Sequence, residues 1–188
     1  MELDEVMRTT FACRDWTDET VSDADIESII EVARFAPSGG NREPNRVVAI
    51  RSADTKRALR LAAEPAMLVY FGQVTLGEAP WNTVVLVVGA DLSVVAAFDS
   101  RLDRVGVVGG ASIYPFAWNI LLAARSRGLG GVLTTMCAGL ESASQDAVGF
   151  PSHVAVAAVI PLGHPVKQLT KLRRSPVADL LRYERWND

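Results

Sequence analysis

The feature that most constrains this chain is a stretch of twenty residues without a formal charge, residues 105–124 (VGVVGGASIYPFAWNILLAA). A stretch of this length is long enough to cross a bilayer as a helix. Glycines and polar residues interrupt it, and basic residues flank both ends, so it carries no signal for an orientation across a membrane. The interruptions favour a buried core helix over about residues 107–127, ended by Gly128. A small protein anchored in a membrane by residues 105–124 is the alternative.

The composition is that of a folded, soluble protein. The 188 residues are 49% hydrophobic and 22% charged, which excludes disordered and collagen-like chains and fits one domain over residues 1–188. A net charge of −3 argues against a nucleic-acid partner. Two cysteines and two histidines, all far apart, predict neither a disulfide framework nor a metal site. With no secretory signal at the acidic N-terminus, we expect a cytoplasmic protein.

Apolar periodicity predicts alternating helices and strands. Ser22 or Asp23 caps a helix whose apolar residues recur at helical spacing, and Pro37 ends it. Helices are also predicted over 2–9, 54–64, 107–127, 141–148 and near 176–183, and strands over 46–51, 83–90 and 153–161. The second of these strands is apolar and β-branched throughout, which is typical of a strand buried on both faces. The alternation indicates an α/β or α+β layered domain.

Four short motifs are compatible with binding an anion or a flat ligand. Residues 36–41 (APSGGN) let backbone N–H groups approach a ligand closely, and residues 9–14 (TTFACR) offer two hydroxyls and a guanidinium. Residues 171–174 (KLRR) form a basic cluster, and residues 128–135 (GLGGVLTT) form a glycine-rich turn. Each motif alone is more typical of a turn, a cap or a solvated surface than of a site.

No pairing of a nucleophile with a base is visible. Cys13 and Cys137 have no histidine nearby in sequence and are interpreted as buried and inert, and His153 and His164 as structural or exposed. Residues 106–110 (GVVGG) do not have the spacing of a dinucleotide-binding fingerprint. Elements that grip a phosphate, without an acid–base constellation, indicate that a cofactor carries the reaction.

Five motifs, taken in order along almost the whole chain, resemble those of the FMN-dependent nitroreductase family. They are residues 10–16 (TFACRDW), 36–44 (APSGGNREP), 119–130 (NILLAARSRGLG), 160–165 (IPLGHP) and 173–177 (RRSPV). The resemblance implies an α+β layered fold with a central mixed β-sheet flanked by helices. It also implies an interwoven homodimer with the flavin at its interface. The expected activity is electron transfer from NADH or NADPH through FMN to a small electron-poor acceptor, such as a nitroaromatic or a quinone.

The resemblance also implies roles for individual residues. Arg14, with the groups around Thr10, Phe11 and Ala12, would hold the flavin phosphate and ribityl chain, and Arg173 or Arg174 would close on that phosphate. Pro37, Ser38, Gly39 and Asn41 would line the flavin from the partner subunit. Leu133, Thr134 and Thr135 would pass backbone groups along the edge of the isoalloxazine ring. Gln73 is a candidate contact to the pyrimidine, and Ser112, Tyr114, Thr134 and Thr135 are possible substrate-facing residues.

The chain also departs from the family pattern. Thr10 and Phe11 stand where the family has basic residues, and Arg8 is the nearest cation that might replace them. Glu43 and Asn45 stand where an amide and an indole are usual. These departures motivate a second hypothesis, a protein of the same fold that binds or stores flavin without turnover. A third hypothesis is a specialised reaction such as reductive dehalogenation or flavin cleavage.

Overall fold

A four-stranded antiparallel sheet lies at the centre of the computed structural model, which describes residues 1–71, 83–94 and 110–185. Its strands are β1 (Asn45–Ile50), β2 (Val84–Asp91), β3 (Gly130–Gly131) and β4 (Val154–Gly163), in the order β1-β2-β4-β3. All three strand pairs are antiparallel. The described sheet is therefore antiparallel and not mixed as predicted, and the parallel pairing of Ala12 with Gly131 at the β3 edge is an isolated bridge outside the strands. The three strands predicted from the sequence are confirmed within a few residues.

Both faces of the sheet are buried, as the continuous apolar run of β2 predicts. All eight residues of β2 are buried. Because side chains alternate along a strand, Val84, Leu86 and Val88 belong to one apolar core and Val85 and Val87 to another. The sheet is therefore the middle layer of an α+β fold with a separate core on each side.

Helices cover the two faces. They are α1 (Leu3–Thr9), α2 (Asp23–Ala33), α3 (Ala53–Phe71), α4 (Tyr114–Ser126), α5 (Glu141–Val148) and α6 (Val177–Leu180). Residues of α2 and α4 pack in the first core, and residues of α3 and α5 in the second. Helix α2 begins as predicted, because the Ser22 hydroxyl accepts from the Asp25 amide while the Asp25 carboxylate accepts from the Ser22 amide.

Two predicted helix boundaries are wrong, both because of prolines. Helix α3 runs through Pro65 to Phe71 instead of ending at Glu64, since its packing against the segment 136–140 and α5 outweighs the hydrogen bond that Pro65 removes. Helix α4 begins at Tyr114 instead of about residue 107, because Pro115 is accommodated in the first turn of a helix. The shorter α6 replaces the predicted helix over 176–183.

The uncharged stretch is, over its described part, a core helix. Ile120, Ala117 and Ala124 of α4 are fully buried, and Gly128 ends the helix in the left-handed conformation with φ 81°. In the described ranges, no helix has the length and apolarity needed to cross a membrane. Residues 105–109, which include most of the glycine-rich GVVGG segment, lie outside the described residues, as does Gln73.

Candidate functional site

The N-terminal segment that follows α1 lies against the glycines of β3. The Cys13 amide donates to the Gly131 carbonyl at 3.0 Å, and the Trp16 indole N–H donates to the Gly130 carbonyl at 2.9 Å. These bonds extend the edge of the sheet by one irregular strand. They place residues 10–16 next to the segment that leads into Leu133, Thr134 and Thr135.

Gly130 and Gly131 leave no room for a side chain, Gly130 because of the N-terminal segment and Gly131 because of β4 and α4. A Cβ atom on Gly131 would lie 2.4 Å from Leu162 Cδ2 and 2.9 Å from the Pro161 carbonyl oxygen. A Cβ atom on Gly130 would lie 2.9 Å from Cys13 Cβ. The two glycines thus allow β3 to pack closely between the N-terminal segment and β4.

The segment after β4 lies along the same N-terminal segment. The Thr17 amide donates to the His164 carbonyl at 2.8 Å, and the Val166 amide donates to the Asp15 carbonyl at 3.2 Å. Further on, Gln168 Nε2 donates to the Thr9 carbonyl at 3.2 Å. The structure therefore brings together the predicted phosphate-binding segment, the glycines of β3 that precede the predicted ring-edge segment, and residues 164–168 that precede the basic cluster.

A shallow cleft lies where these segments meet. It is lined by Thr10, Phe11, Leu121, Arg125, Leu129, Gly130, Gly131 and Gln168. The empty space between these residues is about 170 Å³ with open solvent included, so a single copy of the chain encloses no ligand-sized pocket here. Arg125 and Gln168 were not predicted as site residues, and sequence reasoning treated Arg125 only as a flanking charge of the apolar stretch. The sequence feature that could have identified Arg125 is a positive charge at the end of an otherwise apolar helix.

The predicted phosphate-binding residues differ in how far they are free to bind. Arg14 and Ala12 are exposed, and Arg14 donates only a long bond, 3.4 Å, to the Ala12 carbonyl. The buried Thr10 hydroxyl donates to the Val6 carbonyl at 2.7 Å, so this hydroxyl cannot also donate to a phosphate. Phe11 is half-buried, and Arg173 and Arg174 are exposed, with Arg174 Nη1 donating to the Arg173 carbonyl. Arg8 is exposed in the last turn of α1.

The predicted ring-edge residues continue the edge of the sheet beyond β3. Thr134 and Val159 exchange two backbone hydrogen bonds of 2.9 and 2.8 Å. Leu133 is half-buried, and Thr135 is exposed. Both backbone groups of Thr134 are therefore used within the sheet, and the contact of this segment with the ring edge of a flavin stays a prediction.

The loop 37–41 is not part of this assembly. The Gly39 amide donates to the Ser112 hydroxyl at 2.9 Å, which attaches the loop to the turn before α4. The Ser38 hydroxyl accepts from the Glu43 amide at 3.0 Å, and Asn41 and Glu43 both adopt left-handed backbone, with φ of 53° and 49°. Pro37 and Asn41 are exposed.

The two groups of predicted flavin contacts thus lie at opposite ends of α4. The loop 37–41 is at its N-terminal end, and the cleft is at its C-terminal end, where Arg125 lies. The 13 residues of α4 span roughly 20 Å. One copy of the chain therefore holds the two groups far apart.

The thiols have the properties of buried, unreactive groups, as predicted. Burial raises the pKa of the Cys137 thiol to about 11. Burial is also the main cause of the raised pKa of Cys13, although the Asp15 backbone acts in the opposite direction. Because the thiolate is the reactive form, neither thiol is activated as a nucleophile. Within the described residues, no group of three or more histidine, cysteine or carboxylate side chains is arranged to hold a metal.

Comparison with known proteins identifies the family. The model of the nitroreductase family matches residues 7–164. The chain belongs to the nitroreductase family. It is 30% identical to an NADH dehydrogenase of Thermus thermophilus over 87% of each protein. It is 28% identical to an Archaeoglobus fulgidus protein assigned as an NADH dehydrogenase/NAD(P)H nitroreductase, over 84% of this chain and 82% of the relative.

The solved structures agree with this family membership. A protein of Desulfovibrio desulfuricans assigned as a nitroreductase, solved in complex with FMN, is 27% identical to this chain. The similarity covers 100% of this chain and 99% of the other, with a TM-score of 0.72. The nitroreductase family match includes the N-terminal segment, the loop 37–41 and the ring-edge segment, but it ends before Gln168, Arg173 and Arg174.

Proposed function

We propose that this nitroreductase family member is an FMN-dependent oxidoreductase. It takes electrons from NADH or NADPH and passes them to a small electron-poor acceptor, such as a nitroaromatic or a quinone. The observation that carries the proposal is the convergence of three segments, residues 10–16, 130–135 and 164–168, on one edge of the sheet. The family match covers the first two segments and ends at residue 164. Flavin, when bound, supplies the two-electron chemistry.

The residues present fit a flavin mononucleotide. Arg14 offers a guanidinium on the surface beside the cleft, and Arg125 offers a second one inside it. Gln168 Oε1 is a buried acceptor without a hydrogen-bond partner in the described part of the chain, and the ribityl hydroxyls of FMN are donors. The chain's own contribution is to bind, orient and shield the flavin, since the site holds no acid–base pair of described residues.

The flavin site is completed by a second copy of the chain. A single copy holds the loop 37–41 and the cleft at opposite ends of α4, roughly 20 Å apart. If two copies pack against each other through α4 in opposite directions, the loop of each copy lies at the cleft of the other. Tyr114 and Trp118 lie one turn apart on α4 and are each 43% exposed. Apolar side chains of the tail are also exposed, namely Val177, Leu180, Leu181 and Tyr183. We infer a homodimer, each copy a single flavin-binding domain, working in the cytoplasm.

An absorption spectrum followed by an anaerobic titration tests the activity. The protein is saturated with FMN and freed of excess, and we expect the bands of oxidised flavin to be retained. NADH or NADPH is then expected to bleach them, and a quinone or nitroaromatic to restore them. Free FMN at the same concentration is the control for the uncatalysed reaction. A protein that retains FMN and never bleaches would be a flavin-binding protein without turnover, which would contradict the proposed activity.

A further inference from the structure

Arg125 is a buried guanidinium that has no carboxylate partner among the described residues. It lies in the last turn of α4 with 7% of its surface exposed, and its Nε donates to the Thr9 hydroxyl at 2.9 Å. None of the ion pairs between described residues includes it. A guanidinium has five N–H groups, so four remain on the two Nη atoms. Burying a charge without an opposite charge nearby is unfavourable for folding.

The same cleft contains an acceptor that lacks a donor. Gln168 Nε2 donates to the Thr9 and Leu169 carbonyls at 3.2 and 2.9 Å, and these two acceptors fix which end of the amide is nitrogen. Its Oε1 is buried and accepts no hydrogen bond from any described residue. The cleft thus presents a cationic donor and a neutral acceptor together.

We propose that Arg125 binds the phosphate of FMN and supplies the cation that Thr10 and Phe11 do not. Gln168 accepts a hydrogen bond from the hydroxylated chain that carries this phosphate. A guanidinium matches a phosphate group because two N–H donors fit two oxygens, and an adjacent hydroxyl supplies the donor that Gln168 Oε1 needs. Thr10 and Phe11 line the same cleft as Arg125, so the charge comes from α4 to the place where the N-terminal segment lacks it.

This inference rests on the proposed function, and a comparison of FMN with riboflavin separates the two. Riboflavin keeps the ring and the hydroxyls but lacks the phosphate. Dissociation constants of both flavins are measured by flavin fluorescence for the wild type, Arg125→Met and Arg125→Gln. We expect the preference of the wild type for FMN to fall about tenfold in both variants, with riboflavin affinity changed less than about twofold. Two variants are used so that one can still be measured if the other does not fold.

Arg127→Met is the matched control. Arg127 is two residues away, but its Nε and Nη2 donate to Ser28 of α2 at 2.9 and 3.0 Å, outside the cleft. The ratio of FMN to riboflavin affinity is expected to stay at the wild-type value in this variant, even if its stability falls. Gln168→Met is expected to weaken both flavins by the same factor, because both carry the hydroxyls.

Thermal unfolding without flavin distinguishes binding from a structural role. If Arg125 serves to bind the phosphate and does not stabilise the fold, flavin-free Arg125→Met unfolds at or above the unfolding temperature of the wild type. The reason is that the substitution removes an uncompensated buried charge. A lower unfolding temperature with an unchanged FMN-to-riboflavin ratio would overturn the inference and leave the proposed function intact. A wild type that binds neither flavin would overturn both.

Discussion

Gly131→Val is expected to lower the free energy of unfolding by about 3 kcal/mol, because the site's scaffold leaves no room for a side chain there. The first added carbon would lie 2.4 Å from Leu162 Cδ2, 3.0 Å from Leu121 Cδ2 and 2.9 Å from the Pro161 carbonyl oxygen. The two methyl groups are ends of flexible side chains, but the oxygen belongs to β4 and cannot move without separating β3 from β4. Chemical denaturation curves give the difference.

Gly128→Ala is the control for Gly131→Val. Gly128 has φ of 81°, and a Cβ atom there would meet nothing within 4 Å. Its replacement introduces backbone strain alone, which costs about 1 kcal/mol. If Gly131→Val proved no less stable than Gly128→Ala, the close packing of β3 against β4 and α4 would be wrong.

Arg14→Ala is expected to weaken FMN binding by about 5- to 150-fold, corresponding to about 1–3 kcal/mol for a charge-assisted contact to phosphate. The Arg14 side chain is exposed beside the cleft, and it pairs with no described acid. Its loss should therefore change the free energy of unfolding by less than about 0.5 kcal/mol. Titration of FMN fluorescence measures the affinity, and chemical denaturation measures the stability.

Arg57→Ala controls for the loss of one positive charge. Arg57 is an exposed residue of α3 whose side chain pairs with Asp54, and it lies on the helix layer of the second core. FMN affinity in this variant is expected to equal that of the wild type. An Arg14→Ala protein that binds FMN as tightly as the Arg57→Ala protein would remove Arg14 from the site.

Local patterns in the sequence were sufficient for most of the fold. The β-branched run of β2 and the capping residues of α2 decide their structure within a few residues, so both were predicted closely. Of the two boundaries that failed, the end of α3 depends on tertiary packing, since α3 contacts the segment 136–140 and α5. The start of α4 instead reflects the place of Pro115 in its first turn. A proline in the sequence predicts that a helix ends there, but the sequence pattern does not show the tertiary packing that can keep the helix continuous.

The residues of the candidate site could likewise be predicted only in part. Motifs along the chain pointed to Arg14, the loop 37–41 and residues 133–135, because each is a local arrangement of small, hydroxyl or basic residues. The sequence did not predict Arg125 and Gln168 as site residues, since they come together only when α4 ends beside the N-terminal segment. The separation of the loop 37–41 from the cleft by the length of α4 is likewise a three-dimensional property.

Native mass spectrometry of the protein saturated with FMN tests the central claim most directly, namely that the flavin is bound between two copies of the chain. The account predicts a dimer that carries two FMN molecules, with flavin lost from any dissociated single chain. FMN carried by a single chain would contradict the shared site. A folded dimer that carries no FMN would contradict the proposed function itself.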